Sequence, residues 1–119
     1  LTAGTRKQRG QEGEDLAAQI IQSNGLKILV RNFRCPVGEM DIIALEDEKL
    51  IFIEVRTRST PKFGWGEESI QAKKRMRLQR IAEYFILSRK YKEWPPLRFD
   101  LIAIRWDEKN PQTNWIRGI

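Results

Sequence analysis

Apolar positions recur along the chain with two periods, and the switches between them mark its elements. From Arg6 to Asn24, the residues Gly13, Leu16, Ala17, Ile20 and Ile21 fall on one face of a helix, and Gly25 supplies a left-handed stop. Lys27 to Arg34, with Ile28, Leu29, Val30 and Phe33, predicts a strand closed by the turn signals Cys35, Pro36 and Gly38. Two further apolar runs follow, Glu39 to Leu45 and Leu50 to Arg58. Only the charged tetrad Glu46, Asp47, Glu48 and Lys49 separates them, a spacing that predicts an antiparallel hairpin. Pro61, Gly64 and Gly66 mark Ser59 to Gly66 as a loop that carries Phe63 and Trp65. Helical spacing returns from about Glu67 to Tyr91, with Leu78, Ile81, Ala82 and Phe85 as the buried stripe, and Trp94, Pro95 and Pro96 end it. Phe99 to Trp106 and Thr113 to Ile116 predict a last strand pair, joined by the polar turn Asp107 to Gln112.

Helix, three strands, helix, two strands is the order of one α/β domain. A chain of 119 residues leaves little room for a second core, so residues 1–119 are read as a single domain with a mixed sheet flanked by helices.

Composition and charge change the picture in four ways. Hydrophobic residues at 40% and charged residues at 32% suit a folded chain and exclude a disordered one. A net charge of +6 attracts polyanions, of which nucleic acid is the commonest. No apolar run approaches bilayer length and no signal-peptide pattern precedes the first helix, so a cytoplasmic protein without a membrane partner is expected. Cys35 is the only cysteine and histidine is absent, which excludes an intrachain disulfide, a zinc knuckle and a histidine triad. Metal chemistry is left to carboxylate oxygen, which favours magnesium or manganese.

The candidate carboxylates lie on the hairpin. Residues two apart on a strand share a face, so Glu39 goes with Asp41, and Glu54 with Arg56. Hairpin partners lie about 5 Å apart, so Asp41 and Glu54 converge wherever the register aligns their faces. Both acids interrupt apolar runs, and a buried carboxylate needs a metal or a cationic neighbour. The pair is therefore either a cation site or a set of salt bridges to Arg56 and Arg58. Glu14 lies at the flank of the first helix's apolar stripe while Asp15 points nearly opposite; Glu14 either leans over a sheet edge or serves the helix dipole. Glu39 is an outer acid or a turn residue, and Asp100 reads as structural. On the long helix, Lys73, Arg77 and Arg80 recur away from Leu78 and Phe85 as a basic stripe suited to phosphates, beside a loop whose Lys62, Phe63 and Trp65 offer charge and stacking. Gln71 and Lys73 are the helix residues expected nearest the cleft.

Five segments together carry a resemblance: Gly10-Gln11-Glu12-Gly13-Glu14-Asp15-Leu16-Ala17, Val30-Arg31-Asn32-Phe33-Arg34, Gly38-Glu39-Met40-Asp41-Ile42-Ile43-Ala44, Ile53-Glu54-Val55-Arg56-Thr57-Arg58 and Arg98-Phe99-Asp100-Leu101-Ile102-Ala103. The chain resembles the YraN-like family of small bacterial proteins, itself similar to Holliday-junction resolvases of the PD-(D/E)xK nuclease superfamily. The resemblance implies a restriction-endonuclease-like fold, with magnesium or manganese held by Asp41 and Glu54 and assisted by Glu14. The Val55 carbonyl is a further candidate for the metal shell. It also implies an endonuclease acting on structured or branched DNA, by analogy as a homodimer. Where the superfamily has a lysine, this chain has Arg56. A guanidinium stays charged and cannot act as a general base, although it can neutralise charge on a phosphorane. Two other readings therefore stand beside the enzyme: a nucleic-acid-binding module without turnover, and an adaptor whose basic face meets an acidic protein.

Overall fold

A computed structural model of the protein describes residues 6–58, 72–106 and 110–119. The expected loop with Lys62, Phe63 and Trp65, the helix start at Glu67, and Gln71 lie outside the described residues. Within them the elements follow the order read from the sequence: α1 (Arg6–Ser23), β1 (Lys27–Cys35), β2 (Gly38–Glu46), β3 (Lys49–Arg58), α2 (Ala72–Ser88), β4 (Leu97–Trp106) and β5 (Pro111–Arg117).

The stop after α1 is chemical. Gly25 adopts φ 88°, which lets its N–H reach Gln22 C=O at 3.0 Å and the Leu26 N–H reach Ile21 C=O at 3.2 Å. The second helix ends at Ser88, three residues before the expected Tyr91. Ser88 Oγ donates to Phe85 C=O at 2.8 Å, and Lys90 takes a left-handed φ of 56° that no helix continues through. The strands run a residue or two beyond their apolar cores because the pairs Cys35–Gly38, Glu46–Lys49 and Trp106–Pro111 carry the ladders to the turns.

The sheet order is β1-β2-β3-β4-β5, antiparallel except for the parallel pair β3–β4, whose connection includes α2. Helix α1 lays Ala17, Ala18 and Ile21 on Ile42, Ala44, Ile51, Ile53, Ile102 and Ile104. Helix α2 lays Leu78, Ile81, Ala82, Phe85 and Ile86 on the other cluster, which holds Met40, Ile43, Leu50 and Phe52. Phe85 meets Phe33 and Phe52 edge to face, with ring centroids 5.3 and 5.9 Å apart. Burial on both faces explains the unbroken apolar runs Leu50 to Ile53 and Leu101 to Ile104. Gly13 lets α1 approach β3 closely, since a Cβ there would collide with Thr57 Oγ1.

Asp100, completely buried, anchors the far side of the sheet. Its carboxylate accepts Arg98 Nε at 2.8 Å and Nη2 at 2.9 Å, Trp115 Nε1 at 3.0 Å and the Gly118 N–H at 2.9 Å. It ties β4 to β5 and to the chain end, the structural role expected of it. The whole is the expected mixed sheet between helices, consistent with a restriction-endonuclease-like fold. Among the described residues, no helix is long and apolar enough to cross a membrane.

Candidate active site

The β2–β3 ladder runs from Glu46–Lys49 to Ile42–Ile53 and stops there. One step further the register sets Asp41 opposite Glu54. Instead of a backbone partner, the Val55 N–H finds Asp41 Oδ2 at 2.7 Å. Met40 packs on the α2 side together with Ile43, so the alternation of β2 is broken at this point. Where the strands part, a cavity of about 200 Å³ opens, lined by Gly38, Glu39, Asp41, Glu54, Lys74 and Arg77 over a floor of Met40, Leu78 and Ile81. Asp41 and Glu54 thus share one cleft.

That cleft faces the second helix. Helix α1 covers the face carrying Ile42 and Ile53, whereas Asp41 and Glu54 open toward α2. Glu14 stands outside the cavity lining. It is still close enough to feel the site: burial raises its carboxyl above the usual range, the charge of Asp41 adds to this, and Arg31 opposes it. Asp15, beside it, is held below its usual range by hydrogen bonds from Arg31, at 2.7 Å, and Gln11.

Asp41 is also raised, chiefly by burial, with Glu54 and Glu39 adding their charge while the Val55 N–H and Lys74 pull the other way. Glu54 is the better neutralised acid. Its Oε1 lies 2.6 Å from Lys74 Nζ and 3.9 Å from Arg56 Nε, so Arg56 shares its side of the strand as expected. Glu39 faces the cavity rim and makes an exposed ion pair with Arg34 at 3.4 Å.

Three of the basic residues also sit together. Lys73, Arg77 and Arg80 line a shallow depression with Val37 and Met76, and Arg77 lines the carboxylate cleft as well. The stripe is thus continuous with the cleft. Lys74, not Lys73, is the lysine that enters it. Sequence reasoning missed Lys74, although a signal was present: it lies four residues before Leu78 and seven before Ile81, in phase with the apolar stripe.

The donor set suits a hard cation. Glu54 Oε2 and Glu14 Oε1 are buried without a hydrogen-bond partner among the described residues, and a buried carboxylate oxygen left in this way calls for positive charge. Among the same residues no three acids form a ready-made cage; the cleft offers a pair.

Comparison with known proteins gives a consistent kinship. Residues 13–104 match the family described as "Uncharacterised protein family UPF0102". A UPF0102 protein of Desulfitobacterium hafniense strain Y51 is 61% identical over 96% of this chain and 97% of its own. One from Moorella thermoacetica is 47% identical over 88% and 87%, and one from Caldicellulosiruptor bescii is 44% identical over 90% of each chain.

Proposed function

The chain belongs to the uncharacterised protein family UPF0102, and on that footing we propose that it is a magnesium- or manganese-dependent endonuclease acting on structured or branched DNA. The observation that carries this reading is the cleft shared by Asp41 and Glu54, with a Glu54 Oε2 unpartnered among the described residues and a raised Asp41 carboxyl, opening directly onto Arg77. Asp41 and Glu54 would hold the cation, with Glu14 as the approaching third acid. When bound, the cation supplies Lewis-acid charge at a phosphodiester and makes a water acidic at neutral pH.

The protein's own groups do the rest. The Val55 N–H fixes one oxygen of Asp41. Arg77 and its neighbours Lys73 and Arg80 hold the phosphate backbone and lead it to the cleft. Arg56 keeps a permanent positive charge beside Glu54, where it offsets the charge that builds on the phosphorane. Two copies related by a two-fold axis would present one such cleft to each strand of a branched duplex.

Arginine at position 56 favours a second reading, a binding module on the same fold without turnover. One assay separates the two. Flapped, four-way and single-stranded DNA and RNA are incubated with magnesium or manganese and either the parent chain or Glu54→Gln. Cleavage by the parent, lost in Glu54→Gln at unchanged nucleic-acid affinity, supports the enzyme. Salt-dependent binding with no cleavage of any substrate supports the module, and no nucleic-acid binding at all leaves an adaptor for an acidic protein.

A further inference from the structure

We propose that Lys74 is the lysine of this site, delivered by α2 instead of by β3, and that it positions Glu54 by holding one carboxylate oxygen while leaving the other open to a cation. The inference rests on the cation reading of the cleft given above.

Four observations support it. Lys74 Nζ lies 2.6 Å from Glu54 Oε1, while Arg56 reaches only 3.9 Å. Lys74 sits on the apolar phase of α2, above Leu78 and Ile81, where an ammonium is costly unless a carboxylate meets it. Both partners are well withdrawn from solvent, with side-chain exposures of 25% and 22%, so this contact is screened less than a surface pair. Finally, the two oxygens of Glu54 are treated differently: Oε1 takes Lys74, and Oε2 is buried with no hydrogen-bond partner among the described residues.

β3 brings only the guanidinium of Arg56 near Glu54, so the ammonium of the cleft comes from α2. It also acts as the counter-charge of Glu54 before a cation arrives. Removing it leaves Asp41, Glu54 and Glu39 facing one cavity with their nearest ammonium gone, which strengthens the pull on a divalent ion while loosening the carboxylate that receives it.

The experiment is a manganese titration of the full chain, followed by electron paramagnetic resonance, on the parent, Lys74→Met, Lys74→Gln and Glu54→Gln. The two Lys74 variants, one apolar and one polar, guard against a folding defect in either. Both are expected to bind manganese about five- to tenfold more tightly than the parent. Cleavage should fall in both Lys74 variants despite the tighter ion, a split that a merely structural lysine would not produce. Unchanged or weaker manganese binding in both Lys74 variants overturns the proposal. A parent that binds no manganese, or binds it as well as Glu54→Gln does, overturns the cation reading of the whole cleft. That failure is distinct from a parent titration that the Lys74 variants leave unmoved.

Discussion

The side chain of Asp41 stands in for a strand: its Oδ2 accepts the Val55 backbone N–H at 2.7 Å, at the point where the β2–β3 ladder ends. The carboxylate is fixed by a bond that its amide analogue can also accept, so charge and position are separable at this residue.

Asp41→Asn should therefore stabilise the metal-free protein at neutral pH. Burial, then the charges of Glu54 and Glu39, hold the Asp41 carboxyl above its ordinary range against the Val55 N–H and Lys74. A folded-state pKa above the unfolded one means that the folded chain holds the proton more tightly. The penalty of ionisation is then complete above the folded value, shrinks as the pH falls through it, and vanishes below the unfolded value near 3.8. Thermal melts in chelator are expected to place Asp41→Asn a few degrees above the parent at neutral pH, with the gap closing toward about pH 4. A variant that melts lower than the parent at neutral pH would show that the ionised carboxylate stabilises the fold.

Nucleic-acid affinity should depend on Lys73, Arg77 and Arg80 through counterion release. Each phosphate contact contributes about 0.9 to the slope of log affinity against log salt, so the triple alanine variant should lose about 2 to 3 from that slope. Arg77→Ala alone should lower both the slope and cleavage, because only Arg77 of the three also lines the carboxylate cleft. Filter binding across a salt series reads the slope, and an unchanged slope in the triple variant would reduce the stripe to a solvated face.

Asp100→Ala should destabilise the fold without involving the cleft. It removes one of the two carboxylate partners of the half-buried Arg98, which keeps Glu46 at 3.3 Å, and leaves Trp115 Nε1 and the Gly118 N–H without their acceptor. Leaving buried donors unsatisfied costs about 1–3 kcal/mol, a large share of a domain's stability of about 5–15 kcal/mol. Urea unfolding measures the loss, and a change below about 1 kcal/mol would show that the network relaxes around the deletion.

The hairpin and its acids were legible because strand period and turn chemistry are local. Asp41 and Glu54 lie either side of a short charged turn, and the register follows from that turn. The α2 stripe of Leu78, Ile81, Ala82 and Phe85 was legible for the same reason. What local pattern did not carry was which helix covers which face. The face of the sheet on which α2 lies is set by the crossover between β3 and β4, and only that placement turns Lys74 toward Glu54 while leaving Glu14 at the margin. The helix end at Ser88 was likewise hidden, because Lys90 gives no glycine-like warning of its left-handed turn.

The parallel pairing of β3 with β4 also sets an order of assembly. β2 and β3 close across the short turn at Asp47 and Glu48, whereas Leu50 must wait for Leu97, on the far side of α2. Loop-closure entropy favours the near contact first, so the two carboxylates meet as soon as the hairpin zips, before the helix that carries Lys74 has docked. For that interval the nascent hairpin holds two like charges opposite one another, and docking of α2 relieves their repulsion. Refolding kinetics read this order: if the proposed cation bridges the pair, the chain is expected to refold faster in its presence, and loss of the lysine is expected to slow refolding.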